Sequence, residues 1–343
     1  MEYQILNSKG EQVRLNAKEE RVARALEYQN AEMLNALGIE IPITTLTTVI
    51  KSISEQKFYE VAPADYMPVI VGEGSFSTDL LKYLSYNTGG DFEEGVIHQG
   101  TANSKLAQAD AAVEGVPVKL FPWAKGLSWN LYEVQTAAKT GNWDLITEKE
   151  KSRKKNWDLG IQKHSFLGSE NDTNRRGLLN LDNVNSDLTT ITKPISQMTP
   201  AEYNTFVATI IGKYRENCEY TTMPTDFYIP ESDYMGLGAS LSAEFPLTSK
   251  IEYLRKVMSD LGLVKVNIKP LVYCDQNRNS LGLNRYVMLN KNPDTLAFNI
   301  PVDYTSTLAN SINGFNWENA AYGQFSTVKA YRPKEVLYFD FAN

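Results

Sequence analysis

The sequence predicts an α+β fold, and three features indicate this class. A helical pattern of some 25 residues, about 37 Å of helix, runs from about residue 142 to 166. Helix and strand patterns then alternate between residues 199 and 274, as in a layered α/β unit. The chain closes on aromatic-rich strands at residues 328–341. No repeat of fixed period occurs in the sequence.

The composition is that of a soluble globular protein. The chain has 343 residues, of which 42% are apolar, and its 34 Lys and Arg against 41 Asp and Glu leave a net charge of −7. This apolar content suffices for a sizeable core and excludes a disordered chain or a fibre. The longest apolar runs, residues 67–71 and 116–123, are far shorter than the roughly 18 to 20 residues that cross a bilayer. We therefore expect no membrane partner.

The N-terminal residues and the net charge indicate where the protein is made and which class of partner it does not favour. Residues 1–16 are polar and mixed in charge, unlike an export signal, so we expect synthesis in the cytoplasm. An acidic chain with a pI near 5.2 is not typical of proteins that bind the phosphate backbone tightly.

Catalytic and metal-binding motifs are missing from the sequence. There is no phosphate loop, no H-E-x-x-H, no C-x-x-C and no G-x-S-x-G. The two histidines, His98 and His164, have no motif that joins them in one site. Cys218 and Cys274 fit neither a disulfide scaffold nor a zinc cluster, and we predict that both are buried. We predict no catalytic residue, no cofactor and no metal site.

Two acidic segments are candidates for a calcium site or a catalytic site. Residues 182–187 resemble a calcium loop, but an EF-hand needs Gly at its sixth position and Glu at its twelfth, where this chain has Asp187 and Lys193. A surface turn explains the segment better. Asp226, Glu231 and Asp233 leave open an enzyme with an acidic site, although the preference of carboxylates for helix N-termini explains them equally well.

The first half of the chain is thin in apolar residues. Residues 17–37 predict a helix capped by Asn16 and ended by Gly38, with one narrow apolar stripe typical of a surface arm. Residues 59–115 predict short strands joined by long polar connections. Isolated pairs of strands are marginal in water, so this segment must pack against something else. Residues 116–121 predict a strand that Pro122 ends.

The long helix follows a shorter one. Ser128 is predicted to cap a helix that ends at Gly141, and residues 142–166 form the long helix. Its predicted inner face contains Ile146, Trp157, Ile161 and His164. Five basic residues are interleaved with two acidic ones in its middle, at residues 148–155, and predict a solvated or subunit-facing side, with a phosphate contact as the alternative.

The α/β region has clear boundary signals. Thr199, Pro200 and Glu202 predict a helix start, followed by a buried stripe of Tyr203, Phe206 or Val207, Ile210 and Tyr214. Residues 226–230 predict a strand, and residues 231–238 one or two helical turns. A helix capped by Ser249 and Glu252 and a strand over residues 263–274 follow, with Pro270 at an edge or bulge. Residues 328–341 predict a strand pair broken at Pro333.

Four short motifs occur in an order that resembles a known family. They are Leu131, Tyr132 and Glu133; Gly177 to Asn180; the Thr199 helix followed by Pro224, Phe227 or Tyr228, Pro230 and Tyr234; and Arg332, Pro333, Val336, Tyr338 and Asp340. From about Phe58 to the C-terminus the chain resembles the major capsid proteins of tailed bacteriophages. These have the Johnson fold, which encapsulin shells share. More specifically, it resembles the subfamily formerly filed as a bacterial domain of unknown function.

This resemblance implies a division of the chain into parts. They are an N-terminal arm and helix (1–58), an extended loop (59–115), a peripheral domain with a long spine helix (116–198), an apical α/β domain (199–284) and returning strands of both domains (285–343). It implies a structural protein without enzymatic activity, which assembles as hexamers and pentamers into an icosahedral shell around double-stranded phage DNA. An encapsulin-type cargo compartment is the alternative.

The resemblance also implies partners and a location. Besides copies of itself, the partners would be portal, scaffolding and decoration or head-completion proteins, with weak non-specific contact to packaged DNA. The subunit would be made and assembled in the host cytoplasm and end in the virion capsid. The thin segments agree with this expectation, because they gain stability from contacts between subunits. The acidic charge agrees with a shell that a motor fills after assembly.

Overall fold

The computed structural model describes most of the chain. The described residues are 4–6, 12–14, 57–72, 76, 80–89, 110–140, 144–169, 171–172, 174–262 and 265–341. The chain divides into two units, Met1–Phe58 and Tyr59–Asn343. In the first unit the structure gives an antiparallel hairpin of β1 (Gln4–Leu6) and β2 (Gln12–Arg14), which the sequence analysis missed. The predicted helix over residues 17–37 lies outside the described residues.

The second unit contains the following elements. Its strands are β3 (Val69–Val71), β4 (Leu80–Gly89), β5 (Asp110–Asn130), β6 (Asn185–Asp187), β7 (Asp226–Pro230), β8 (Ser240–Ser242), β9 (Phe245–Ser249), β10 (Asn267–Leu271), β11 (Asn284–Leu289), β12 (Leu296–Ile300), β13 (Val302–Ser306), β14 (Asn310–Ser311), β15 (Asn316–Ser326), β16 (Lys329–Ala330) and β17 (Val336–Phe341). Its helices are α1 (Leu131–Thr140), α2 (Leu145–Leu167), α3 (Pro200–Asn217), α4 (Glu231–Gly236) and α5 (Lys250–Gly262).

A five-stranded mixed sheet, in the order β10-β7-β11-β17-β6, separates two apolar clusters. Strands β7 and β17 are buried along their whole length. Because side chains alternate between the faces of a strand, Phe227 and Phe339 join the cluster that contains α3 and α5, whereas Tyr228 and Tyr338 join the cluster that contains α2. The sheet therefore has a buried core on each face.

Helix α3 confirms the predicted boundary signals. Glu202 N donates to Thr199 Oγ1 at 3.4 Å and Thr199 N donates to Glu202 Oε2 at 2.8 Å, which completes the capping box. The predicted stripe is buried: Tyr203, Phe206, Val207, Ile210 and Tyr214. Strand β10 is shorter than predicted, but Pro270 does lie on an edge strand, where a missing amide hydrogen costs little.

A second sheet, in the order β13-β15-β5-β4, is built on β5, a strand of 21 residues. The C-terminal part of β5, residues 120–130, pairs with β15, and its N-terminal part, residues 110–119, pairs with β4. At about 3.4 Å per residue β5 is roughly 70 Å long. A third sheet, β16-β12-β3, joins β3 to the C-terminal strands β12 and β16.

Two predicted boundaries near β5 are wrong. The strand does not end at Pro122, because its pairing with β15 continues to Asn130. Strand β4 pairs only as far as Lys119, so Pro122 lies on an edge that no other described strand uses, where proline is tolerated. Ser128 lies in this strand and caps no helix. Helix α1 begins three residues later, where Asn130 Oδ1 accepts from Glu133 N at 2.7 Å.

The long helix and the closing strands also differ from the predictions. Helix α2 begins at Leu145, where Asp144 accepts from two amides of the first turn. Arg153, predicted on a solvated or subunit-facing side, is only 3% exposed. Its guanidinium donates to Tyr304 Oη at 3.0 Å and to Asn319 Oδ1 at 3.0 Å, so it ties the helix to β13 and β15. Strands β16 and β17, predicted as a pair, lie in different sheets.

Candidate functional site

The residues that the structure describes contain no cluster suited to binding a metal ion. No group of three or more His, Cys, Asp or Glu side chains in this part of the chain could hold a metal ion. Cys218 and Cys274 are buried and free, as predicted, and burial raises the pKa of the Cys274 thiol. None of the helices described is both long enough and apolar enough to cross a membrane.

His164 is a packed core residue. Its ring lies 4.7 Å from the ring of Phe325 and 6.4 Å from that of Phe121, and its Nε2 is buried without a hydrogen-bond partner. Burial, followed by the nearby positive charge of Arg175, lowers the pKa of His164 to about 4. The imidazole is therefore neutral at pH 7. His98 lies outside the described residues.

The three carboxylates weighed as an acidic site do not form one. Asp226 begins β7 and Glu231 follows the last residue of this strand, so about 16 Å of extended chain separates the two. Asp233 is buried and accepts from Ile195 N at 2.8 Å, Ser196 N at 2.8 Å and Tyr286 Oη at 2.7 Å. With these donors on both oxygens, Asp233 caps the 3-10 turn at Ile195–Gln197 and has a structural role.

The acidic segment at residues 182–187 is a turn followed by an edge strand. Asn183 has a φ of 60°, as asparagine tolerates in turns. Asp187 accepts from the amide and hydroxyl of Thr189, at 2.7 and 2.6 Å. The interpretation of a surface turn rather than a calcium loop agrees with this geometry.

Two of the family motifs meet in space although about 160 residues separate them. Tyr338 Oη donates to Leu178 O at 2.6 Å and accepts from Leu181 N at 3.1 Å. Arg285 forms a two-point ion pair with Asp340, with Nε–Oδ1 and Nη2–Oδ2 distances of 2.7 Å, and both side chains are largely buried. The motif residues therefore bind β17 to β11 and to the turn after α2.

The glycine of the second motif is required by close packing. A Cβ placed on Gly177 would lie 2.5 Å from the main chain of Phe166, too near for any side chain. Gly177 N donates to Asn180 Oδ1 at 2.6 Å, and Asn180 Nδ2 donates to Leu167 O at 3.0 Å. This motif closes the C-terminal end of α2, and its role is structural.

A feature that carries no metal-binding or motif residue is a two-stranded ribbon formed by β4 and the N-terminal part of β5. Its strands pair in register over ten residues, from Leu80 opposite Lys119 to Gly89 opposite Asp110. In the described part of the chain no third strand pairs with it. Its length is about 34 Å at 3.4 Å per residue, and isolated two-stranded elements are at best marginally stable in water.

An exposed apolar patch lies at the end of the β5 sheet opposite the ribbon. We call it the tip patch and define it as the exposed side chains of Leu131, Tyr132, Leu308, Ile312 and Phe315. Leu131 N donates to Phe315 O at 3.1 Å, so the start of α1 and the β14–β15 hairpin are adjacent. This hairpin was not predicted from the sequence, although its Asn313-Gly314 dipeptide is a strong hairpin signal.

The basic run of α2 is largely neutralised. Lys149 Nζ lies 3.1 Å from Glu133 Oε2, Lys151 Nζ lies 2.8 Å from Glu148 Oε1, and Arg153 pairs with Glu150. These pairs leave little positive charge for a phosphate backbone. They disfavour the alternative of a phosphate contact on this helix.

The chain matches the family described as Major capsid protein over residues 95–341. The solved structure "The capsid of Myoviridae Phage XM1" is similar with a TM-score of 0.70 and 14% identity, over 89% of this chain and 99% of that one. A chain of Microbacterium phage Oxtober96 is similar with a TM-score of 0.55 and 10% identity, over 86% and 95%.

A chain of Mycobacterium phage Ogopogo is similar with a TM-score of 0.53 and 9% identity, over 90% of this chain and 99% of that one. No curated protein sequence matches. The cargo-compartment alternative is not better supported by these comparisons. The two-stranded ribbon, the exposed tip patch and the structural roles of the motif residues agree with a shell subunit. The chain belongs to the major capsid protein family and is a structural capsid shell protein with the fold of phage capsid subunits.

Proposed function

We propose that this chain forms a closed icosahedral shell of hexamers and pentamers that encloses the double-stranded DNA of a tailed bacteriophage. The observation that carries the proposal is the two-stranded ribbon of β4 and β5. Because such a ribbon is marginal alone, it needs a surface that no other described strand of its own chain supplies. In a shell, each copy supplies that surface to a neighbour and receives it from another.

The proposed parts of the subunit follow the topology. Residues 1–58 act as an arm, 59–115 as the extended loop, 116–198 as a peripheral domain with α2 as its spine, 199–284 as the apical domain and 285–343 as returning strands. The pairings of β15 with β5 and of β11 and β17 with the β7 sheet support this division. The ribbon connects directly to the peripheral part, because β5 runs through both.

The proposed contents are DNA held by weak, non-specific contact. The net charge of −7 and the ion pairs on α2 support this, because a wall with little free positive charge does not trap DNA as a motor delivers it. The partners are then the portal, scaffolding and decoration or head-completion proteins. Assembly takes place in the host cytoplasm, and the product is the virion capsid. A cargo compartment remains the second candidate and would contain protein instead of nuclease-resistant DNA.

A shortened ribbon tests the proposal. Leu84 and Gly115 face each other in register, so residues 85–114 can be replaced by an Asn-Gly turn without shifting the remaining pairs. We expect the unchanged chain to form closed particles and the shortened chain to remain as soluble, folded capsomers or monomers. The measurements are negative-stain electron microscopy and sedimentation velocity, with a thermal melt as the folding control. Normal particles from the shortened chain would contradict the role given to the ribbon.

A further inference from the structure

We infer that Asn313 is a self-modifying residue, whose side chain is attacked by the main-chain nitrogen of Gly314 and converted into a mixture of aspartate and isoaspartate. Both residues are exposed and lie in the turn between β14 and β15. They form the only Asn-Gly dipeptide in the sequence. Because the reaction needs no partner except water, it goes beyond the proposed shell and does not depend on it.

The reaction has two steps, and no atom is oxidised or reduced. In the first step the Gly314 nitrogen loses its proton and forms a bond to Asn313 Cγ, while the bond from Cγ to Nδ2 breaks. The NH2 group takes up the proton and leaves as ammonia, and a cyclic imide remains. In the second step water opens this imide. Cleavage of the new bond gives aspartate at position 313, and cleavage of the original peptide bond gives isoaspartate.

The hairpin activates the carboxamide of Asn313 as the electrophile. Asn313 Oδ1 accepts from Phe315 N at 3.1 Å and from Asn316 N at 2.8 Å. When the Gly314 nitrogen attacks Cγ, negative charge develops on this oxygen, and two main-chain N–H groups at such distances stabilise it as an oxyanion hole does. The bond from Ile312 N to Asn316 O, at 2.9 Å, fixes these donors before the reaction begins.

The nucleophile has a proton acceptor beside it. Gly314 N donates to Ser311 Oγ at 2.8 Å, so the serine hydroxyl is placed to pass the amide proton on to water. Gly314 has a φ of 75°, a conformation that glycine adopts without strain. Because glycine also has no Cβ, the main chain at this position can rotate freely enough to close the imide ring.

The leaving group of Asn313 is unrestrained. Within the part of the chain that the structure describes, Asn313 Nδ2 donates no hydrogen bond, whereas Oδ1 of the same side chain accepts two. The side chain is exposed, so ammonia can depart directly into water and water can reach the imide. The oxygen of this carboxamide is therefore held while its nitrogen is free to leave.

Asn279 supplies a matched comparison in the same chain. Its Oδ1 accepts from Leu281 N at 3.0 Å, a contact of the same kind as that between Asn313 and the amide two residues later. Its Nδ2, however, donates to Cys274 O at 3.3 Å and to Leu283 O at 3.0 Å. These bonds hold the leaving group, and a serine follows in place of glycine. We therefore expect Asn279 to stay intact.

The modification changes a surface that carries no charge. Residues 304–317 contain no Asp, Glu, Lys or Arg. The new carboxylate would add one negative charge between Ile312 and Phe315, two side chains of the tip patch. Isoaspartate also inserts a methylene group into the main chain of the turn, so Phe315 N and Asn316 N lose the oxygen that they share. An aged chain therefore differs from a fresh one in the charge and shape of this hairpin.

Mass spectrometry of the aged, full-length chain tests the inference. The folded protein would be incubated in heavy-oxygen water at neutral and mildly alkaline pH, then digested and analysed by electron-transfer fragmentation. We expect Asn313 to exchange its NH2 group for a labelled OH group and to give isoaspartate besides aspartate, since only the imide opens to isoaspartate. The rate should rise about tenfold per pH unit, because the Gly314 nitrogen must lose its proton. Asn279 should react at least about tenfold more slowly.

Two variants of Ser311 test the part that the hairpin plays. Ser311→Ala removes the acceptor of the Gly314 proton and should slow the reaction at Asn313 roughly threefold or more, whereas Ser311→Thr keeps the hydroxyl and should restore the rate. Ser311 is exposed, so both variants are expected to melt at the temperature of the unchanged chain.

Three results would overturn the inference. The first is an intact Asn313 in the folded chain under conditions in which a free peptide of residues 304–317 reacts, because the hairpin would then protect this residue. The second is aspartate without isoaspartate at position 313, and the third is an unchanged rate in Ser311→Ala. The measurement uses the subunit in solution, so its result is the same whether or not the chain forms particles.

Discussion

The two main sheets of this subunit differ in what holds them. In the five-stranded sheet, β7 and β17 are buried along their length between two apolar clusters, and the Arg285–Asp340 ion pair joins the neighbouring inner strands β11 and β17. The β5 sheet packs on α2 in its middle but extends into the ribbon at one end and the tip patch at the other. The first sheet stabilises the single chain, and in the proposed shell the second sheet presents surface to neighbouring copies. Stability and assembly can therefore be changed separately.

The largest effect is expected from breaking the five-stranded sheet. Asp340→Ala leaves the largely buried Arg285 without its partner, which should lower the free energy of unfolding by about 3–5 kcal/mol. Urea unfolding followed by circular dichroism measures this loss. The double variant Arg285→Leu with Asp340→Leu removes both charges and should recover part of the loss. A single variant as stable as the unchanged chain would show that this pair does not hold the sheet.

A pH-dependent effect is expected where α2 packs on the β5 sheet. His164 binds a proton below about pH 6.5 in the unfolded chain, but only near its lowered pKa of about 4 in the folded chain. The neutral His164 ring therefore contributes fully to the free energy of unfolding above pH 6.5. As the pH falls towards 4 this contribution, roughly 3 kcal/mol, is lost.

The variant His164→Phe isolates this contribution. It keeps an aromatic ring against Phe121 and Phe325 and removes the titrating group. We expect its stability to fall less steeply between pH 7 and pH 4 than that of the unchanged chain, in paired urea titrations. If the stability of both proteins fell equally steeply between pH 7 and pH 4, His164 would not be the source of the pH dependence.

A smaller effect is expected from overpacking the contact between α2 and the β5 sheet. A Cβ on Gly323 of β15 would lie 2.5 Å from the indole ring of Trp157 on α2, so Gly323→Ala should cost about 1–3 kcal/mol. Gly126→Ala, on the neighbouring β5, meets no atom within 4 Å and is the matched control. Thermal melts of the two variants measure the difference. A loss of stability at Gly126 equal to that at Gly323 would contradict the packing argument.

Local signals predicted the α/β region well, because its boundaries depend on neighbouring residues. The capping box at Thr199 and the buried strand before Glu231 need only a few adjacent side chains. The extent of β5 could not be predicted in this way. Pro122 is a local stop signal, and only the pairing with β15, about 200 residues later, carries the strand through it.

The candidate surfaces were partly predictable. The low apolar content of residues 59–115 indicated a segment that needs a partner, and most of the ribbon lies in this segment. The tip patch was missed because its residues come from two distant segments, around Leu131 and between Leu308 and Phe315. The buried position of Arg153 was also missed, since its partners Tyr304 and Asn319 lie about 150 residues away.

The continuity of β5 has a mechanical consequence. One uninterrupted strand forms half of the ribbon, then a central strand of the sheet, and then leads directly into α1. A pull on the ribbon along this strand loads its hydrogen bonds to β15 together, in shear, rather than opening them one by one. In the proposed shell, tension that reaches the ribbon along β5 would therefore be borne by the whole length of the β5–β15 pairing.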